Sequence, residues 1–188
     1  MINVQRWEHS RDAEHHPLDA PEHLVEELDV RQHGVVAVIG AAPERYALPL
    51  VPRVGASGII YSLDASENAI IRSAPDHLPS QIRVRRSSRD YLPLPDHSVD
   101  LALLAFVLRQ IAHLRTMLME IRRVLRPGGR IAVADWIRQE ERVGPIREER
   151  VSAATCERWL AAIGFGLVGQ RALNRSQYLI IGRRPMTD

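Results

Sequence analysis

Apolar runs and amphipathic segments alternate along the chain from about residue 34. Val35–Ile39 is continuously apolar and Val99–Phe106 is strongly apolar, which is typical of strands buried on both faces of a parallel sheet. Gly58–Asp64 and Arg130–Trp136 predict two further strands of this kind. Gln81–Arg85 alternates between apolar and polar residues and therefore predicts a more exposed strand.

The segments between these strands have helical features. Asp19 precedes Pro21 and Glu22, an order that favours the start of a helix. A clean 3.6-residue period runs from Leu114 to Leu125, and Pro127 with its following glycines predicts the end of that helix. Further helices are predicted over residues 43–53, after Ser66, and from Ser152 to Ile163.

Strand and helix alternate at least five times, which predicts an α/β fold with a mostly parallel sheet. Phe165–Ala172 and Gln177–Gly182 predict a closing antiparallel hairpin. Residues 1–18 are polar and lack an apolar period, so we expect a loosely held arm there. Residues 19–188 are predicted to form a single domain.

The charged residues exclude several kinds of chemistry. All 25 lysine-or-arginine positions are arginine, so a lysine Schiff base or a Walker-type lysine clamp is excluded. The formal net charge of +2 is too small to indicate a nucleic-acid-binding protein. Arg83, Arg85, Arg86 and Arg89 form the densest basic cluster, which could bind phosphate or RNA or could face a partner. The lack of interleaved aromatic residues disfavours nucleic-acid binding.

Other residue counts narrow the class of protein further. Cys156 is the single cysteine and lies in a predicted helix, where we expect it to pack rather than react. No run of eighteen apolar residues predicts a membrane span, and the first residues lack a signal-peptide pattern, so a cytoplasmic location is predicted. The histidines near the N-terminus lack metal-ligand spacing, so no metal site is predicted.

The ends of the first two predicted strands carry the candidate chemistry. In doubly wound sheets, ligands bind beyond the carboxyl ends of strands where the strand order reverses. Gly40 follows the first strand, and Asp64 ends the second strand 24 residues later. A carboxylate in that position can accept hydrogen bonds from both hydroxyls of a ribose, although a helix-capping role is the alternative.

Five segments share residue patterns with one known family. They are Arg45–Leu50, Leu92–Asp100, Phe106–Ile111, Glu120–Arg130 and Val143–Val151. From about Asp19 to Pro185 the chain resembles the class I S-adenosylmethionine-dependent methyltransferases, of the small bacterial and archaeal type. This resemblance implies a Rossmann-like, doubly wound, seven-stranded sheet with an antiparallel last strand, and S-adenosylmethionine as cofactor.

The resemblance also implies which residues contact that cofactor, while leaving the catalytic residues unassigned. It places the methyl acceptor under the N-terminal helix, residues 106–113 and residues 136–145. The cofactor-binding residues implied are Gly40, Ala41, Ala42, Asp64, Ala65, Ser88, Arg89 and Ala105.

The sequence departs from the family at the cofactor site. Val38 stands where the family has an acid that serves the amino group, and Ala42 and Glu44 stand where it has glycines. Ser88 and Arg89 fall where an acid often accepts from the adenine amino group. A carboxylate about 4 Å from the methionyl carboxylate would repel it by roughly 1 kcal/mol in water and 4 kcal/mol at an effective dielectric of 20.

Two hypotheses therefore stand side by side. The first is a methyltransferase that acts on an unidentified small-molecule acceptor. The alternative is a catalytically inactive protein of the same fold that has lost the cofactor and serves as a structural or regulatory partner of another protein. A homodimer or a heterodimer is compatible with both. A dinucleotide oxidoreductase is a weaker third interpretation, because the glycine pattern fits it less well.

Overall fold

A seven-stranded sheet forms the centre of the fold. In this computed structural model, residues 21–40, 44–64, 78–88 and 90–187 are described. The strands are β1 (Val35–Ile39), β2 (Ile59–Asp64), β3 (Ile82–Arg86), β4 (Val99–Ala105), β5 (Leu125–Trp136), β6 (Gly166–Ala172) and β7 (Gln177–Arg183). Their spatial order is β3-β2-β1-β4-β5-β7-β6.

The sheet is parallel except at one strand. β1 lies between β2 and β4 and is parallel to both, and β4 is parallel to β5. β7, the last strand in the sequence, is antiparallel to both β5 and β6. The predicted α/β class, the seven strands and the reversed last strand are confirmed. Because the chain moves from β1 to β2 and β3 and then returns to β4, the strand order reverses between β1 and β4.

Four α-helices cover the sheet within the described residues. They are α1 (Pro21–Glu26), α2 (Glu44–Val54), α3 (Leu114–Val124) and α4 (Ala153–Ala162). Short 3-10 turns lie before α3, at Leu108–Gln110, and before α4, at Arg147–Glu149. Ser152 caps α4 as predicted, since its Oγ accepts from the backbone N–H of Thr155 at 3.2 Å. The predicted helix after Ser66 and the predicted N-terminal arm lie outside the described residues.

Helices pack on both faces of the sheet, as in a doubly wound fold. Val36 and Val38 of β1 join the core under α1 and α2, which includes Leu50. Ile39, one residue further, joins the core on the opposite face with Ile121 of α3. This alternation explains why β1 is apolar at every position.

The start of β5 differs from the sequence prediction. The prediction began this strand at Arg130 and assigned a turn to Pro127 and the glycines after it, whereas the strand begins at Leu125, directly after α3. Backbone hydrogen bonds explain the difference: Gly128 N–H donates to the Arg184 carbonyl at 3.1 Å, and Arg184 N–H donates to the Gly129 carbonyl at 2.8 Å. Pairing with a segment distant in sequence therefore continues through these turn-type residues.

Candidate functional site

The carboxyl ends of the parallel strands lie along one edge of the sheet. Gly40 follows β1, Asp64 ends β2, Phe106 follows β4, and Trp136 ends β5. Because the strand order reverses between β1 and β4, a crevice is expected between these two strand ends. The predicted ligand-binding edge and the reversal point therefore coincide.

Gly40 and Asp64 are neighbours at this edge. Ile39 is paired with Leu63, and the Gly40 N–H donates to the Leu63 carbonyl at 3.1 Å, so Asp64 is the next residue beside Gly40. Gly40 has φ +140°, and a Cβ added there would lie 2.9 Å from Cγ2 of Val107. Only glycine fits this turn without strain, while Asp64 is held with 9% of its surface exposed.

The other predicted cofactor residues are distributed as follows. Ala105 ends β4, and it is buried. Ser88 is exposed just beyond β3, where its Oγ accepts from the Asp90 N–H at 3.4 Å. The sheet thus brings Gly40, Asp64 and Ala105 to one edge. Ser88 lies just beyond the end of β3, the strand beside β2. Ala41, Ala42, Ala65 and Arg89 lie outside the described residues, and the cofactor role of all eight residues stays a prediction.

Val38 lies in the core rather than at the binding edge. Its side chain is buried between β1 and the helices α1 and α2. An aliphatic side chain in this position provides no hydrogen-bond acceptor for a ligand amino group. The side chain of Glu44, at the start of α2, lies outside the described residues.

Three aromatic rings meet on the β4–β5 side of the edge. The ring centroid of Phe106 lies 6.3 Å from that of Tyr46 and 5.6 Å from that of Trp136. Phe106 has φ +55°, a conformation that a bulky side chain rarely adopts, and its N–H donates to the Ala134 carbonyl at 2.8 Å. The family resemblance implies an acceptor pocket under the N-terminal helix, residues 106–113 and residues 136–145, and this pocket stays a prediction. The aromatic cluster was not predicted.

A roof segment, residues 137–149, folds against Trp136. A Cβ added at Gly144 would lie 2.9 Å from Cδ2 of the Trp136 indole, and Gly144 has φ +76°. This backbone therefore passes against the ring with no room for a side chain. The roof segment separates Trp136 from solvent, and only 8% of that residue is exposed.

Arg150 holds the roof segment in place. Its guanidinium lies 5.3 Å from the centre of a Trp136 ring and forms a 2.8 Å ion pair with Glu141. It also donates to three backbone carbonyls, those of Ile137, Val143 and Pro145, at 2.9, 2.6 and 2.8 Å respectively. Because the Arg150 side chain is fully buried, each of these bonds replaces a lost bond to water.

Glu141 links the roof segment to the β6–β7 turn. Burial alone would raise the pKa of Glu141, but hydrogen bonds from Ser176, Arg150 and Gln139 outweigh it and lower the pKa. Ser176 Oγ donates at 2.6 Å and Gln139 Nε2 at 2.9 Å. The carboxylate is therefore held charged in a fixed position.

Asp135 connects the ends of β4 and β5. Its two carboxylate oxygens accept from the backbone N–H groups of Trp136 at 2.7 Å and Leu108 at 3.3 Å. Burial raises the pKa of Asp135 to about 6, although these two bonds and nearby arginines oppose the shift. Asp135 was not among the predicted site residues, although an acid near the end of a buried strand is a signal that the sequence contains.

Cys156 is buried in α4, as predicted. Burial, with added repulsion from Asp135 and Glu157, raises the pKa of its thiol to about 12. This thiol therefore packs rather than reacts at neutral pH. Among the described residues, no group of three histidine, cysteine or acidic side chains is arranged to hold a metal ion, and no helix is long and apolar enough to span a membrane.

Comparisons with known proteins agree with this architecture. Residues 38–133, just over half of the chain, match the model of a methyltransferase domain family. Over 115 residues the chain is 30% identical to the ubiquinone/menaquinone biosynthesis C-methyltransferase UbiE of Burkholderia mallei, covering 60% of this chain and 47% of that protein. The chain spans less than half the length of the curated relatives that it matches.

Solved structures share the whole fold. A SAM-dependent methyltransferase from Aquifex aeolicus superposes with a TM-score of 0.81 at 24% identity, covering 87% of this chain and 88% of that one. A chain from the complex between the Haloferax volcanii Trm112 methyltransferase activator and a methyltransferase superposes with a TM-score of 0.74 at 17% identity, covering 88% of this chain and 89% of that one. With the family match over half its length and this strand order, the chain belongs to the class I S-adenosylmethionine-dependent methyltransferase family.

Proposed function

We propose that this protein transfers a methyl group from S-adenosylmethionine to a small-molecule acceptor. The observation that carries the proposal is the adjacency of Gly40 and Asp64 at the point where the strand order reverses. This arrangement fits a nucleoside, because a buried carboxylate can accept from both ribose hydroxyls while a glycine turn allows a close approach. Membership of the methyltransferase family supports the same cofactor.

Residues at one part of the carboxyl edge would bind the cofactor, and residues at another part would bind the acceptor. Asp64 would accept from the ribose, and Gly40, Ala41, Ala42 and Ala65 would contact the cofactor beside it. Ser88, Arg89 and Ala105 would flank the adenine and the centre of the crevice. When bound, the cofactor supplies an electrophilic methyl group.

The acceptor would lie on the other part of the edge, against Phe106 and Trp136. There the roof segment excludes water from the ring of Trp136. Methyl transfer depends mainly on placing the acceptor atom in line with the methyl group in a dry site. A general base is therefore not required of any particular residue.

Ligand titration tests this function directly. Calorimetry or thermal unfolding with S-adenosylmethionine and S-adenosylhomocysteine should show binding, and ligand at 100 times the dissociation constant should add about 2.7 kcal/mol to the free energy of unfolding. Asp64→Asn should weaken binding at least tenfold, whereas Asp90→Asn, at an exposed acid, should leave it unchanged. No response at millimolar ligand would contradict the proposal.

The inactive-partner hypothesis is favoured by the residues at positions 38, 42 and 44, which differ from the family pattern. It predicts that the wild-type protein binds neither ligand. The double variant Ala42→Gly with Glu44→Gly removes the extra methyl and carboxylate, so cofactor binding gained only by this variant would favour the inactive-partner hypothesis. A protein partner that co-purifies would point the same way. The cytoplasmic location and the oligomeric state stay predictions.

A further inference from the structure

Two buried hydrogen-bond donors at the carboxyl edge lack partners. Among the described residues, Nε1 of Trp136 and Nε2 of Gln177 are shielded from solvent and make no hydrogen bond. Trp136 is 8% exposed and Gln177 2%. Buried donors are normally paired in folded proteins, so two unpaired donors in one place indicate that a ligand supplies the acceptor.

The sheet places these two donors together. Trp136 of β5 and Gln177 of β7 are directly paired in the antiparallel register. Directly opposite residues of an antiparallel pair project from the same face of the sheet, with Cβ atoms about 5 Å apart. Both residues therefore present their N–H groups to one side, the face covered by α1 and α2.

Neither side chain is free to turn towards another partner. Asn174 Nδ2 donates to Oε1 of Gln177 at 2.9 Å, which leaves the NH2 end of the amide directed away from that bond. Trp136 lies against the guanidinium of Arg150 and the ring of Phe106, at 5.3 and 5.6 Å between the group centres. The two donors are therefore preorganised, which is a property of binding sites rather than of loosely packed surfaces.

The position of the donor pair separates it from the predicted cofactor residues. β5 is two strands from β1, so Trp136 lies about 10 Å across the sheet from the end of β1, at a spacing of about 4.8 Å between strands. Phe106, at the end of the intervening β4, contacts the Trp136 ring. A molecule held by the donor pair would thus lie beside the crevice, at the place expected for a methyl acceptor.

We propose that Trp136 Nε1–H and Gln177 Nε2–H together bind one oxygen of the methyl acceptor, a planar and mostly apolar molecule with a carbonyl or phenolic oxygen. This inference rests on the proposed function. The aromatic ring of Phe106 suits a flat, apolar framework, and two neutral donors suit a carbonyl or phenolate oxygen. Arg150 does not supply charge to the ligand, because its own hydrogen bonds are used within the roof segment.

The donor pair also has a chemical role. An acceptor that enters the site as a phenolate carries negative charge on its oxygen, and two fixed donors stabilise that charge. The roof segment must open for the acceptor to bind, because Gly144 lies against indole atoms next to Nε1.

Nuclear magnetic resonance of the indole N–H groups tests the donor pair without turnover. The probe is 1-indanone, a planar ketone, and its control is indane, which has the same framework without oxygen. In the presence of S-adenosylhomocysteine, 1-indanone should move the Trp136 Nε1 proton signal downfield, and indane should bind at least threefold more weakly. Trp136→Phe identifies the signal.

Variants give a second readout. Trp136→Phe and Gln177→Met each remove one donor while keeping bulk, and each should weaken 1-indanone binding three- to tenfold without changing the affinity for indane. Trp159→Phe, at a partly exposed tryptophan of α4, is the matched control and should change neither.

The outcomes separate this proposal from the proposed function. An unmoved Trp136 signal at millimolar 1-indanone, with normal binding of S-adenosylhomocysteine, overturns the donor pair alone. A shift caused by S-adenosylhomocysteine by itself would assign the donors to the cofactor and also overturn it. Binding of 1-indanone at Trp136 without any cofactor binding would support the donor pair while contradicting the methyltransferase function.

Discussion

Arg123 and Arg150 form two closely similar structures at opposite edges of the sheet. Each guanidinium donates to loop carbonyls, pairs with a carboxylate at 2.8 Å and lies over an aromatic ring. For Arg123 the carbonyls are those of Leu92 and Leu94, the principal carboxylate is Glu120, and the ring is Tyr91. The two side chains differ in burial, since 27% of the Arg123 side chain is exposed and none of the Arg150 side chain.

The difference in location explains the difference in role. Arg123 lies in the last turn of α3, just before β5, and fixes the loop that leads into β4, so it lies at the amino edge of these strands. Arg150 fixes the roof segment at the carboxyl edge, beside Trp136. Because ligands of such sheets bind at the carboxyl edge, Arg123 should contribute to stability alone, and Arg150 to both stability and the site. The following predictions test that contrast.

Arg150→Ala should have the largest effect. It leaves Glu141 in the interior without its cation and three carbonyls without their donor, so the free energy of unfolding should fall by about 3 to 5 kcal/mol. Urea unfolding measures this loss. Arg147→Ala, at an exposed arginine of the same segment, is the control and should change stability by less than about 0.5 kcal/mol. Equal effects of the two variants would contradict the role of Arg150.

Asp135 should give the carboxyl edge its own pH dependence. Its pKa is raised to about 6 in the folded state, against an ordinary value of 3.8, so the folded protein keeps this proton longer than the unfolded chain. The resulting stabilisation is complete below about pH 4 and is lost as the pH rises through about 6, by up to about 3 kcal/mol. Asp135→Asn should remove this contribution from the stability measured between pH 4 and 7. An unchanged pH profile would contradict the raised pKa.

Glu120, at the amino edge, should give stability a pH dependence of the opposite sign to that from Asp135. The hydrogen bond from Arg123 is the main cause that lowers the pKa of Glu120, so its stabilisation is present above the unfolded pKa and is lost as the pH falls. Arg123→Ala should therefore lower the free energy of unfolding by about 1 to 3 kcal/mol at neutral pH. Ligand affinity should stay unchanged, which calorimetry can measure. If Arg123→Ala lost as much ligand affinity as Arg150→Ala, the assignment of Arg123 to stability alone would be wrong.

Arg53→Lys should have the smallest effect. Arg53 pairs with Glu26 at 3.4 Å, and 46% and 60% of the two side chains are exposed. Since exposed ion pairs contribute little, stability should change by less than about 0.5 kcal/mol. Thermal unfolding would check this. A large loss would contradict the small contribution expected of this exposed pair.

Much of the fold was predictable because local signals and tertiary packing agree. The continuous apolar run of β1 and the strongly apolar run of β4 correspond to strands covered on both faces, and Ser152 caps α4 as its position indicates. The predicted start of β5 was wrong because backbone pairing with Arg184, far along the chain, overrode the local turn signal of Pro127 and Gly128. Contacts of this kind cannot be read from a local pattern.

The candidate site was predictable only in part. The positions of Gly40 and Asp64 follow from the ends of two strands and the spacing between them. The pairing of Trp136 with Gln177 requires the register of β7, which places side chains from distant segments together. The contacts of Arg150 could not be predicted from the sequence either, because its main partners are backbone carbonyls, which every residue has.

The buried thiol of Cys156 has a practical consequence for spectroscopy. With a pKa of about 12, about one thiol in 100,000 is ionised at pH 7, so alkylating dyes should leave this cysteine unlabelled in the folded protein. A cysteine placed at Ile146, which is 60% exposed on the roof segment, would then take a fluorophore selectively without removal of the native one. Its emission would report whether the roof segment moves when a ligand is added.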